Sequence, residues 1–382
     1  MGNRPLRVAL VDPSGYSRPY DHELARALAR RGQAVTLWTA GFVHGDAPAP
    51  DGYDVREHFY RRSNRREVGS RLRPLAKALE HLDDLRRLGA HLRRERPDVV
   101  HVQWSVLRPV ERRFYRRLRA AGLATVFTAH DPVPNIGGAS RRRSAAATAR
   151  VFERVICHSE WGRDALVDRC GVDPGRVRVI PHGVFAYLRE LPAVAPPVDP
   201  EGPLAVMPGL IRPYKGVDVL LEAWPAVHER VPAATLLVAG RPMTDIAALP
   251  VDQPGVVFLP RFLSDAELAA VLRRADLVVL PYRRIDNCGV LAAALAFGAA
   301  LVMSDVGGFG ELHRGDGVGE LVPPGDAAAL AATLGGLPAD PGARARLAER
   351  SAAAAAGPLG WDSIAERTEA VYRELAHHGG GG

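Results

Sequence analysis

Residues 6–40 read LRVALVDPSGYSRPYDHELARALARRGQAVTLWTA. LRVALVD is a short, almost unbroken apolar run, the pattern of a strand covered on both faces. SGYSRPYD (14–21) is built from turn formers, and HELARALARRG (22–32) places its apolar residues at helical spacing until Gly32 ends it. AVTLWTA (34–40) returns to the buried-strand pattern. Strand, helix and strand in so short a span make a βαβ unit, and such units dictate a parallel sheet.

The alternation continues through DVVHVQW (98–104), ATVFTAH (124–130) and RVICHS (154–159), with a long Arg-rich helical segment over 66–96. This is one doubly wound domain that ends near VRVIPHG (177–183). After the Pro-rich LPAVAPPVDPEGP (191–203), LAVMPGL opens a second series. It has a helix in DVLLEAWPAVHERV (218–231) and strands in ATLLVAG (234–240), GVVFLP (255–260), DLVVLPY (276–282) and ALVMSD (300–305). The expected architecture is α/β, with two Rossmann-like doubly wound parallel-sheet domains, 1–190 and 191–360, facing a central cleft. WDSIAERTEAVYRELA (361–376) is expected to pack back on the first domain, and the tail 377–382 to be disordered. Ligands on such sheets bind beyond the carboxyl ends of the strands, which makes the cleft the expected site.

A chain of 382 residues is long enough for two such cores, and 47% hydrophobic with 24% charged residues is the balance of a soluble globular protein. No apolar run reaches the ~18 residues that span a bilayer. MGNRPLRVALVDPSG shows no signal-peptide pattern, so the cytoplasm is expected. Cys157, Cys170 and Cys288 have neither CxxC spacing nor a zinc-finger histidine pair, which argues against structural disulfides and a cysteine-held metal. The net charge of +7 is uneven: residues 1–200 carry 35 Lys+Arg against 22 Asp+Glu, and residues 201–382 carry 15 against 21. The first half suits an anionic partner, a nucleic acid, a lipid headgroup or a phosphorylated substrate, or else carries a solvated arginine surface. No nucleic-acid-binding motif accompanies the charge, and stacking aromatics are not interleaved with it, so nucleic acid is not the expected partner.

Three stretches carry chemistry. GLIRPYKGVDVLLEAW (209–224) is a strand-end loop running into a helix, and its Lys215 is one of only two lysines, with Lys77, among 50 basic residues. Where arginine is otherwise used throughout, a compact, flexible ammonium points to phosphate contact, and Arg212 one turn earlier is placed to grip the same group. The alternative is two exposed loop charges. In LPYRRIDNCGVLAAALAFGAALVMSDVGGFGE (280–311) a strand ends at Tyr282 and a helix starts near Cys288-Gly289. Its N-terminus offers free N–H groups and a positive dipole end to a diphosphate. Asp286 and Asn287 just before it serve the ligand or cap the helix, and Glu311 follows a glycine-rich turn. In the first domain Ser14-Gly15-Tyr16 follows the first strand, and His130 and Asp131 close another before a Pro/Gly loop. His158 and His182 are similarly placed; each histidine is a site residue or a satisfied core group.

Taken together, HELARALARRG, CHSEWGRDAL, GVDPGRVRVIPHG, GLIRPYKGVDVLLEAW, ADLVVLPY and the 285–311 stretch resemble the retaining glycosyltransferases of family 4, which have the GT-B fold. The similarity runs from about residue 7 to the closing helix near residue 376. It implies a metal-independent enzyme without cofactor that moves a hexose from a nucleotide-diphosphate sugar to a hydroxyl acceptor. No D-x-D triplet, the expected metal ligand of the other common fold, occurs in the chain. By the resemblance, the donor diphosphate lies against Lys215, Arg212 and the backbone of Cys288, Gly289, Val290 and Leu291, beside Gly209 and Asn287. The base would rest near Arg261, Phe262 and Leu263. Asp286 would orient sugar hydroxyls, His130 would face the transferred sugar, Gly15 would near the donor phosphate, and the N-terminal domain would take the acceptor.

Two positions depart from the family. Its second motif glutamate, which touches the nucleotide ribose, falls at Ala293 or Ala294, and the arginine five residues before the lysine is Leu210, with Arg212 as the substitute. The leaving diphosphate is expected to receive the acceptor's proton as the acceptor attacks the same face of an oxocarbenium-like sugar, so that catalysis is positioning and charge stabilisation. The basic first half, with 61–96, ERRFYRRLR (111–119) and SRRRS (140–144), suits an anionic membrane surface and a lipid-linked acceptor of the cell-envelope or exopolysaccharide kind. A GT-B-like sugar-nucleotide epimerase, or an inactive or partner-dependent homologue, is the alternative.

Overall fold

The computed structural model describes residues 4–42, 48–65, 73–132, 139–285 and 287–378. The chain forms two compact units: one runs to Pro181 and includes the closing helix from Trp361, and the other spans His182–Gly360. The border falls at 181 instead of 190 because Val184, Tyr187 and Leu188 are already buried in the second core.

The first unit strings together β1 (Arg7–Asp12), α1 (Arg18–Arg30), β2 (Ala34–Ala40), β3 (Asp54–Phe59), α2 (Arg73–Glu95), β4 (Val99–Val102), α3 (Arg108–Ala120), β5 (Ala124–Thr128), α4 (Ala139–Ala149), β6 (Arg154–Cys157), α5 (Glu160–Asp164) and β7 (Val177–Val179). Its strands pair in parallel in the order β3-β2-β1-β4-β5-β6-β7. The order reverses at β1, so right-handed crossovers place α2, α3 and α4 on one face of the sheet and α1 on the other. α1 starts at Arg18, four residues earlier than the apolar spacing indicates, because Pro19 suits a first turn.

The second unit contains β8 (Leu204–Pro208), α6 (Val217–Arg230), β9 (Thr235–Ala239), β10 (Val256–Leu259), α7 (Asp265–Arg274), β11 (Leu277–Leu280), α8 (Gly289–Ala296), β12 (Leu301–Ser304), α9 (Gly308–Asp316), β13 (Glu320–Val322), α10 (Ala327–Leu334) and α11 (Pro341–Ala356). Its sheet is also parallel, in the order β10-β9-β8-β11-β12-β13. The chain closes with α12 (Trp361–His378), which packs beside α1. Ion pairs from Arg31 to Glu369 at 2.8 Å and from Arg178 to Glu374 at 2.9 Å fix it to the first unit. α12 runs through residues 377 and 378 of the expected tail, and 379–382 lie outside the described residues. Among the described residues no helix is long and apolar enough to cross a membrane.

Candidate functional site

In the second unit the loop after β8 and the start of α8 come together. Gly209 has φ +107°, and a Cβ built there would lie 2.8 Å from Val290 Cγ2 and 3.2 Å from Lys215 Nζ. Only glycine lets the lysine and α8 approach the strand end so closely. The turn Pro213–Lys215 is pinned from the loop after β11: Arg283 donates to Pro213 O at 3.0 Å and forks onto the Asp218 carboxylate at 2.7 and 2.6 Å. The Arg283 hydrogen bond also holds the Asp218 carboxyl below its usual range.

Lys215 is 8% exposed, and its Nζ lies 5.2 Å from the ring centroid of the fully buried Tyr282. Burial pushes the ammonium pKa down, Cys288 opposes that shift, and Arg212 adds to it; no carboxylate among the described residues offsets the charge. A desolvated cation without a counterion is costly unless something anionic completes it. Cys288 Sγ donates to the Tyr282 hydroxyl at 3.4 Å, which ties the start of α8 to the same aromatic platform. Cys288 stands at the N-cap with no side chain capping the helix, and Asn287 Oδ1 accepts from Cys288 N at 2.8 Å. The first helical bond runs from Ala292 N to Cys288 O, so the N–H groups of Gly289, Val290 and Leu291 begin α8 without a partner in the helix. Lys215, Arg212, Gly209, Val290 and Cys288 thus form one cationic corner, the chemistry a diphosphate requires.

The other expected residues have surroundings of their own or lie outside the described residues. Asp286 is outside the described residues. Arg261 forks onto Glu267 at 3.1 and 2.7 Å, and Glu267 also closes the capping box of α7 with Ser264. The Arg261 bond leads the shift of the Glu267 carboxyl down to about 2. Leu263 belongs to the second core and Phe262 is exposed. Among the described residues no hydrogen bond or ion pair joins 261–263 to Lys215. Ala293 and Ala294 are buried in the apolar core at 1% and 0% exposure, so neither presents a polar group. Leu291 is buried with them, and Glu311 sits in the first turn of α9.

The first unit gathers its candidates where β1, β4, β5 and β6 end. The Gly15 loop is wound round the buried Asp12 carboxylate, which accepts from Ser14 N at 3.0 Å and Ser14 Oγ at 2.6 Å; Gly15 itself has φ +65°. His158 Nδ1 lies 2.9 Å from Ile180 O, and a carbonyl only accepts, so Nδ1 carries the proton. Burial pushes the His158 pKa down to about 4 against that bond, which leaves Nε2 as a lone pair facing His130 Nδ1 at 3.1 Å. His130 Nδ1 is the donor that this contact requires, and His130 Nε2 lies 3.1 Å from Gln103 Oε1. Trp104 stacks on His130 at 5.2 Å with 15° between planes, and Tyr20 meets the ring edge-on at 4.8 Å. Beneath them burial pushes the His101 pKa down to about 3, and its nitrogens lie 2.6 Å from Tyr372 Oη and 2.7 Å from Thr128 Oγ1. Asp131 is exposed; in the second unit His182 Nδ1 lies 2.7 Å from Gly183 O.

Sequence reading missed the Tyr282 platform, the Arg283–Asp218 clamp and the Gln103–Trp104 surroundings of His130. A usable signal was present: His101 in the wholly buried β4 and Gln103 just past its end are polar residues that alternate with apolar ones.

Two parallel α/β units with a phosphate-type corner at a helix N-terminus define a glycosyl-transfer scaffold of the GT-B class. Residues 20–185 match the family described as Glycosyltransferase Family 4, and residues 202–340 match Glycosyl transferases group 1. Glycogen synthase of Mycobacterium tuberculosis is 30% identical over 304 residues, 75% of this chain and 71% of that protein. Phosphatidyl-myo-inositol mannosyltransferase of Mycobacterium leprae is 37% identical over 172 residues, 44% and 45% of the two chains. The fold is shared with the Anabaena protein HepE solved in complex with UDP, with TM-score 0.69 and 17% identity over 97% of this chain and 100% of that one. The chain belongs to glycosyltransferase family 4 and is a glycosyltransferase with the GT-B fold.

Proposed function

We propose that this glycosyltransferase takes a hexose from a nucleotide-diphosphate sugar and delivers it, with retention and without a metal ion, to a hydroxyl of a lipid-linked or other glycan acceptor. The observation that carries this reading is the buried Lys215 ammonium, which has an aromatic face beneath it and no carboxylate among the described residues to neutralise it. A donor diphosphate supplies that charge, with Arg212 and the open N–H groups of α8 as further donors. The UDP in the Anabaena structure and the lipid in the name of the Mycobacterium leprae relative belong to those proteins, and they support a nucleotide donor and a lipid acceptor here.

In the proposed reaction the bond from the anomeric carbon to the diphosphate oxygen breaks while a bond to the acceptor oxygen forms on the same face. The acceptor proton passes to the departing phosphate oxygen. Lys215, Arg212 and the α8 dipole stabilise the negative charge that develops on the leaving group, a contribution of about 3–4 kcal/mol for one well-placed donor. Asp286 and His130 are assigned to the sugar. The test is a melting panel of UDP-, GDP-, ADP- and dTDP-hexoses in EDTA, followed by anomer-resolved NMR of the transferred product. One nucleotide family should stabilise the protein and the donor anomer should persist. Stabilisation only after divalent metal is added, or an inverted product, contradicts the reading; an epimerised donor formed without acceptor replaces it with an epimerase.

A further inference from the structure

The outer side of α2 carries a surface that the transfer chemistry does not use. Leu75, Leu79 and Leu82 are 62%, 61% and 42% exposed, whereas Leu85, Leu88 and Leu92 of the same helix are buried in the first core. The spacing i, i+4, i+7 sets the exposed leucines in one stripe along the helix. Isolated surface leucines need no explanation, but these three are among only eight large apolar side chains so exposed among the described residues.

Farther along the stripe the side chains turn basic, with Arg86 and Arg93 exposed on the same side of the helix. α3 lies against α2 and α4 lies against α3, with Arg112 donating to Ser144 Oγ at 3.3 Å. These neighbours expose Arg113, Arg116, Arg117, Arg141 and Arg143. None of these five, nor Arg93, has an ion-pair partner among the described residues. The positive charges crowd one another: Arg108 is pushed down by burial first and then by Arg141.

Arg86 pairs with Asp83 at 3.1 Å, and an apolar stripe flanked by the other guanidinium groups fits one kind of partner, a surface with anionic phosphates above hydrocarbon. We infer that the α2–α3–α4 face docks on an anionic lipid bilayer, with Leu75, Leu79 and Leu82 as the inserting edge and the arginines on the headgroup phosphates. This deepens the lipid-linked acceptor reading and rests on it for its purpose.

The experiment is co-sedimentation of the full-length protein with vesicles of phosphatidylcholine alone or with about one-third phosphatidylglycerol, at low and high salt. Wild type should bind the anionic vesicles and release as salt rises. Leu79→Asp with Leu82→Asp, and separately Arg113→Ser with Arg116→Ser and Arg117→Ser, should each weaken binding about tenfold while melting like wild type, because the sites are exposed. No binding to anionic vesicles at low salt overturns the inference, as does equal binding by wild type and the leucine variant. A wild-type dimer that the leucine variant turns into a monomer, with vesicle binding unchanged, assigns the stripe to a second copy and also overturns it. Nucleotide-sugar stabilisation is measured on the same samples. If it persists while vesicle binding fails, the docking face alone falls; if vesicles bind and no nucleotide stabilises, the donor chemistry falls and the docking face stands.

Discussion

Lys215 and His130 occupy comparable places in the two units, on loops that leave the carboxyl ends of inner strands, and meet opposite surroundings. The lysine is a buried cation over an aromatic ring, with no carboxylate among the described residues to balance it. The histidine has both ring nitrogens engaged inside its own unit and a tryptophan stacked on its face. Among the described residues one corner holds a buried cation that no carboxylate balances, the place proposed for the donor diphosphate. The other is closed, with His130 joining the loops that follow β4, β5 and β6. Similar α/β scaffolds thus hold a buried cation over an aromatic ring in one unit and an aromatic–histidine cluster in the other.

The sharpest way to break this contrast is Lys215→Ala, which should lower turnover by about 10²- to 10³-fold with the fold intact. Near-normal transfer in a steady-state assay would erase the distinction. The first unit should show its closed character in pH dependence. His158 and His101 fold with pKa values depressed to about 4 and about 3, below the unfolded value of about 6.5. The unfolded state then binds more protons in that interval, so stability is complete above about pH 6.5 and is lost as pH falls toward 4. His158→Phe should remove about 2–3 kcal/mol of the stability difference between pH 7.5 and pH 4.5 in urea unfolding; an unchanged difference means the ring is not held neutral.

Gly209→Ala tests how tightly the cationic corner is built. Its Cβ would meet Val290 and Lys215 at a positive φ, so a loss of about 2 kcal/mol by denaturant titration is expected, with a weakened nucleotide response. The smallest effect belongs to a surface pair. Glu267→Gln should cost about 0.5–1 kcal/mol through the α7 cap and the Arg261 ion pair and leave nucleotide stabilisation unchanged. A large change in nucleotide response would bring Arg261 back to the donor.

Much of the fold was legible because buried parallel strands are apolar throughout and their helices are not. AVTLWTA is β2 residue for residue. β3, DVREHF, was not recognised: an edge strand with half of its residues exposed has no apolar run to betray it. Lys215 was legible by rarity, and Gly289 by its place after a polar loop. The Arg261 ion pair and the histidine floor were not, since they depend on which strand ends lie side by side. Gln103, His130 and His158 are 27 and 28 residues apart in the chain and meet only because β4, β5 and β6 are consecutive in the sheet.

The most direct test of the cationic corner is calorimetric titration of nucleoside diphosphates in EDTA into wild type and Lys215→Met. The apolar replacement removes the desolvated charge and should raise the unliganded melting temperature by about 2 °C. Wild type should bind one diphosphate, and the variant should bind it at least about a hundredfold more weakly. Equal affinity in the two proteins would contradict the assignment of Lys215 as the seat of the donor diphosphate.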